Sequence, residues 1–278
     1  MPAPLSFSPE VTQPFFTLTD HLRDIRRTFE HHPPDKSDTF EILRTTTQLI
    51  RNFLCIPQGW RGLYESPALE ITGQIEFRDF VRHDTGEIIR PEEHPEYRFW
   101  DASLALPATG LAFEQAYAWR FATHQGFGVP HGPYITFFNP DHFTPANSSA
   151  YDPSADAILS PGAEITLIAA LGCIIRDLER RGMETLRRET AYKAAVLHQT
   201  AADHPLLEPV TDRLLRSQTL LVLRTSPNDA NALSNYLSQF RLLPGRRENI
   251  FSFTNYPTHS KESAEMLADC LAAFSKPQ

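Results

Sequence analysis

The order of segments predicts an α/β fold with a larger first domain, residues 1–150, and a smaller second domain, residues 151–278. Three observations point there. Two helical segments precede the first strand. The strands that follow are brief, consecutive and mostly apolar, as buried strands of a largely parallel sheet are. After a stretch rich in Pro, Asn, Ser and Asp at 140–161, read as a linker from its composition, the pattern runs helix, helix, strand, helix, strand, helix.

Phe15–Glu30 and Asp38–Leu54 carry apolar residues at helical spacing, with Ser37 placed to cap the second. Gly59–Tyr64 reads as a strand running into a helix from Pro67 to about Phe77, with Ser66 at its cap. Phe80–Arg82, the turn Asp84-Thr85-Gly86, and Tyr97–Trp100 ending in Asp101 follow, then strands at Ala116–Ala122 and Pro133–Phe138. In the second domain, helices are predicted over Glu164–Arg181, Met183–Ala202, Asp229–Phe240 and Ser260–Phe274, with strands at Thr219–Arg224 and Ile250–Thr254.

The formal charge of −8 argues against nucleic acid or an anionic membrane surface as a partner, because both require a basic face. Cys55, Cys173 and Cys270 are odd in number and far apart, so neither a disulfide framework nor a metal clip is indicated and a reducing cytoplasm is expected. No export signal is read at Met1–Gln13, and the most apolar window, Ile165–Ile175, is too short to span a bilayer. His124, His131 and His142 have no carboxylate or cysteine beside them at ligand spacing, so no metal is expected. Lysine stands only at positions 36, 193, 261 and 276, which leaves four candidates for any lysine chemistry.

Several collinear stretches resemble the phosphoserine-aminotransferase branch of the class V, pyridoxal phosphate (PLP) dependent aminotransferases. Phe7–Gln13 is similar to the opening F-T-P-G-P-S-Q, Asp35-Lys36-Ser37 with Phe40 to H-R-S-x-x-F, and Ser66–Glu70 to the S-A-T-E phosphate turn. His83–Gly86 resembles N-E-T-S-T-G, Phe99–Pro107 the D-A-V-S-S-L-P strand end, Ala122–Gly132 the S-x-Q-K-x-F-G-x-P-x-G segment, and Asn255–Glu262 the N-F-P-A-H-S-K-E segment. The resemblance implies a fold-type I aminotransferase architecture. It further implies PLP as cofactor, with Asp101 on the pyridine nitrogen and Ser66 and Ala68 at the phosphate, and a dimer with shared active sites.

The departures change the expectation. The position of the Schiff-base lysine holds Gln125, whose amide neither condenses with an aldehyde nor acts as a base at neutral pH. Ser252 stands where the family has an arginine for the substrate carboxylate, and Asp35-Lys36 replaces the basic pair. Between the segments near Phe77 and Phe80 roughly 80 residues of family βα units are missing, at about 30 residues per unit. In a sheet ordered 3-2-4-5-6-7-1 this removes the second and third strands and leaves five contiguous ones, with a newly bared edge.

These features together predict a degenerate homologue, most simply without cofactor, that completes or regulates an intact partner. Its substrate-side positions would be Lys36, Ser252 and His259. Two alternatives stay open: an enzyme that binds PLP or pyridoxamine phosphate without a covalent lysine, using His124 or His131 as proton shuttle, and a module whose former cofactor cleft takes another small molecule.

Overall fold

The computed structural model of the chain describes residues 4–67, 75–143 and 156–275. Helices α1 (Leu18–His31) and α2 (Lys36–Leu54) come first. Helix α2 starts two residues before the predicted Asp38, because the cap is Asp35 rather than Ser37. The Asp35 side chain accepts from the Asp38 N–H at 2.9 Å while the Asp38 side chain accepts from the Asp35 N–H at 3.1 Å, a reciprocal box that satisfies two otherwise orphaned donors.

The principal sheet has the order β3-β4-β5-β6-β2-β7, built from β2 (Arg61–Glu65), β3 (Arg78–Asp79), β4 (Phe99–Asp101), β5 (Ala118–Ala122), β6 (Tyr134–Phe138) and β7 (Ala157–Leu159). Its pairings are parallel except where β6 meets β5 and β2. The first five strands stand in the order expected for a sheet that keeps the family's first, fourth, fifth, sixth and seventh strands. The sixth, β7, lies within the stretch predicted as linker and pairs with β2 through Gly62–Tyr64. Its residues Ala157 and Ile158 are buried, and that burial offsets the loop-forming tendency around them.

Two further expectations change. The helix predicted from Pro67 is absent at the described residues Pro67 and 75–77, and most of its span, with Ala68, lies outside the described residues. The strand predicted at Phe80–Arg82 is displaced to Arg78–Asp79, leaving Val81 in an isolated bridge to Ile88. The exposed edge of the sheet is thus a two-residue strand of opposite charges, a poor template for pairing with another chain.

After β7 come α3 (Ile165–Arg181) and α4 (Met183–Asp203), broken at Gly182 as predicted. Helix α3 packs on α1 and α2 within the core that also underlies the principal sheet. A Cβ on Gly172 would lie 2.8 Å from Thr46 Oγ1, so the glycine permits the close approach of α3 to α2.

The second sheet, order β11-β12-β9-β8, is antiparallel: β8 (Glu208–Pro209), β9 (Leu220–Arg224), β11 (Gly245–Arg247) and β12 (Ile250–Thr254). Strand alternation gives it two faces. Leu221, Leu223, Phe251 and Phe253 join α4, α5 (Ala230–Gln239) and α6 (Lys261–Ala273) in a second core, while Leu220, Val222 and Ile250 face the first core. The amino-terminal β1 (Leu5–Ser6) pairs with β10 (Leu242–Leu243), which ties the start of the chain to this second unit.

Candidate functional site

Asp101 ends β4, and the sheet register sets its neighbours. Asp79 stands opposite it on β3 and Arg120 opposite it on β5. The Arg120 guanidinium, on a side chain only 11% exposed, has its Nε 4.0 Å from Asp101 Oδ2. This is an ion pair at longer than hydrogen-bond distance. Tyr134 on β6 pairs with Ala122 and so lies diagonally next to Arg120 on the same face, within reach of a long side chain. The Arg120 guanidinium carbon sits 4.1 Å from the Tyr134 ring centroid and 5.6 Å from that of Phe77. A planar cation thus lies against aromatic faces with a carboxylate beside it.

The Asp101 carboxylate also accepts the Ser103 N–H at 2.7 Å. Burial pushes its pKa above the ordinary carboxylate value, against the pull of Ser103 and Arg120. Ser103 Oγ in turn accepts the Ala122 N–H at 2.8 Å, which ties the end of β4 to the end of β5.

Gln125 follows β5 in the tight loop to Gly132. Its Oε1 accepts a 2.8 Å hydrogen bond from the hydroxyl of Tyr256, a buried residue. Burial, reinforced by the Asp101 charge, raises the pKa of that hydroxyl, so it stays protonated and remains a donor. Asp101, Tyr256 and Gln125 therefore form one cluster with Arg120 and Tyr134. His124 adjoins it: its ring meets the edge of Tyr134 at 5.8 Å, and burial, with His131 adding to it, lowers its pKa and favours the neutral imidazole. His131 is exposed and in a left-handed conformation.

Other predicted site residues lie in different settings. Ser66 is buried and its N–H donates to Ser160 Oγ at 3.4 Å. Most of the helix expected to start behind it falls outside the described residues, and Pro67 itself stands in a turn. Lys36 sits exposed in the first turn of α2, its ammonium 6.0 Å from the Phe40 centroid, where it forms part of a helix start rather than of the Asp101 cluster.

His259 lies in the interior of the protein. It is 2% exposed, stacked on Phe7 at 4.4 Å, and both ring nitrogens are engaged by backbone: Nδ1 accepts from the Tyr256 N–H and Nε2 donates to Ser6 O at 2.7 Å. No nitrogen is left for a substrate. The Lys193 ammonium donates to the carbonyls of Tyr256 and His259 at 2.9 Å each, and Asn255 Nδ2 donates to the carbonyls of Thr190 and Gln218. The segment 255–259 is thus a structural clasp between β12, α4 and the amino-terminal strand.

Ser252 lies in a separate cleft of about 660 Å³ shared with His83, Thr85, Arg224 and Arg247. Arg224 and Arg247 both stand opposite Ile250 in the sheet register, one from each side. Arginines are therefore near the position vacated at 252, on neighbouring strands. Sequence reasoning missed these two, and also Arg120, Tyr134 and Tyr256. Among the described residues no three His, Cys, Asp or Glu side chains are grouped to hold a metal ion.

The architecture is that of the phosphoserine aminotransferases and their aminotransferase relatives. The phosphoserine aminotransferase SerC of Cytophaga hutchinsonii matches with a TM-score of 0.81 and 16% identity over 98% of this chain and 99% of that one. A PLP-bound phosphoserine aminotransferase of Trichomonas vaginalis gives 0.67 and 12% over 96% and 99%, and the alanine–glyoxylate aminotransferase of a Nostoc species 0.73 and 13% over 98% and 95%. No family model and no curated protein sequence matches the chain. At these identities the likeness establishes the fold. Among the described residues no helix is long and apolar enough to cross a membrane.

The motif resemblance implies PLP, and the described residues do not fit it as a covalently held cofactor. Gln125 has no amine. Lys193 is committed to two carbonyls, and Lys261 pairs with Glu265 at 3.6 Å on the exposed face of α6. The carboxylate that would meet the pyridine nitrogen already faces Arg120.

Proposed function

We propose that the chain is a catalytically silent aminotransferase homologue that serves as a completing or regulating subunit for an intact aminotransferase of the same fold. One observation carries this reading: Gln125 stands where the resemblance puts the Schiff-base lysine, and its side chain is held by the Tyr256 hydroxyl. An amide acceptor fixed by a buried phenol offers neither a nucleophile nor a base. The reading places the protein in the cytoplasm, where its three unpaired cysteines stay reduced.

The test is co-expression with a full-length class V aminotransferase from the same genome, with an affinity tag on that partner alone. The expected outcome is co-purification in fixed stoichiometry, with the complex differing from the partner alone in KM or kcat. Failure to co-purify, together with transaminase turnover by the isolated chain, would contradict the reading.

A further inference from the structure

We infer that Arg120 is an internal substitute for the cofactor ring: its guanidinium, stacked on Tyr134 and facing Asp101, fills the place of a protonated pyridine and keeps PLP out. The inference rests on the silent-homologue reading and assigns the exclusion to a particular side chain.

The two cations are chemically alike. A protonated pyridine is a flat cation that needs a carboxylate at its nitrogen and a surface against its ring. The guanidinium of Arg120 is also a flat, permanently charged cation. It has Asp101 Oδ2 4.0 Å from its Nε and the Tyr134 ring 4.1 Å from its central carbon, with Phe77 at 5.6 Å. At 11% exposure the arginine has little water to turn to. A pyridinium approaching Asp101 would bring a second cation against Arg120 and compete for the same carboxylate, and upsetting the charge balance of a buried ion pair is strongly disfavoured. Register puts the three side chains within reach of one another, because Asp101 and Arg120 are direct partners across β4 and β5 and Tyr134 is the diagonal neighbour of Arg120 on β6.

Four proteins decide the matter: the wild type, Gln125→Lys, Arg120→Met and the double variant Gln125→Lys/Arg120→Met. Each is titrated with PLP, reduced with borohydride, and analysed by intact mass and peptide mapping. The expected result is a stoichiometric adduct at position 125 in the double variant, and none in the wild type or Gln125→Lys. An adduct on the wild-type chain would sink the underlying reading. Equal adduct in Gln125→Lys and the double variant, or none in either, would overturn the role of Arg120 and leave that reading intact.

Since Arg120→Met removes the cation beside Asp101, a thermal-melting cycle over Asp101→Asn, Arg120→Met and Asp101→Asn/Arg120→Met guards against a variant that fails to fold. The pair is expected to be coupled, with the double variant melting no lower than the worse single variant. Strictly additive losses would overturn the inference.

Discussion

Gly126→Ala is expected to lower the free energy of unfolding by more than about 3 kcal/mol, at or beyond the upper end of ordinary overpacking costs. A Cβ on Gly126 would overlap the carbonyl oxygen of Leu106 and lie 2.7 Å from its carbonyl carbon and 3.0 Å from Pro107 Cδ. Backbone and a proline ring cannot swing aside, so the loop carrying Gln125 would have to part from the loop that follows Asp101. Gly110 provides the control: a Cβ there meets only the flexible end of Arg187, at 3.4 Å, and alanine is expected to change stability by less than about 0.5 kcal/mol. Urea denaturation of both variants checks the pair. Equal midpoints for Gly126→Ala and the wild type would show that the two loops are not in contact.

The second large effect is in acid. Burial lowers the pKa of His259 from 6.5 to about 4, and the nearby Lys193 ammonium adds to the depression against the favourable backbone contacts of the ring. The folded state therefore holds this ring neutral where the unfolded chain would protonate it. Between pH 6.5 and 4 the unfolded state binds more protons, so the stability is fully present above 6.5 and falls as pH drops. The loss attributable to His259 reaches about 3 kcal/mol by pH 4, because a tenfold change in a protonation equilibrium corresponds to about 1.4 kcal/mol.

His259→Gln should start less stable at neutral pH but lose less on acidification, so that the two curves converge. Curves that stay parallel from about pH 7 down to about pH 4 would contradict the burial of a neutral ring in the clasp. Lys193 acts in the same sense at the alkaline end. Burial depresses it from 10.5 to about 8, and stability should rise between pH 8 and 10.5 as the unfolded chain keeps its proton longer.

Much of the fold is legible in the sequence because its signals are local. Periodicity places α3 and α4 on either side of Gly182 to within a residue, and Ile250–Thr254 coincides with β12. The remainder depends on tertiary context. Strand β7 is three residues long inside polar sequence and exists because β2 offers it an edge. The start of α2 differs from the expected one because Asp35 and Asp38 satisfy each other, whereas Ser37 is the more familiar cap on its own.

The site divides in the same way. Asp101 and Gln125 are readable from motif position, and the structure brings them together through Tyr256. Nothing in the linear sequence marks Arg120 as the neighbour of Asp101, since they are far apart along the chain and meet only through the β4–β5 register. His259 falls in a motif that suggests a substrate contact, whereas its two backbone hydrogen bonds make it a structural residue. Lys36 likewise carries the motif position of an anion-binding cation, and it stands at an exposed helix start.

A silent homologue has no lysine able to hold PLP as an internal aldimine, and the most direct test of that uses the purified wild-type chain. It is titrated with PLP under absorbance, reduced with borohydride and weighed intact. The expected result is no aldimine band and an unchanged mass. A new band accompanied by a single reduced phosphopyridoxyl increment on one mapped lysine would contradict it and return the protein to the working enzymes of its fold.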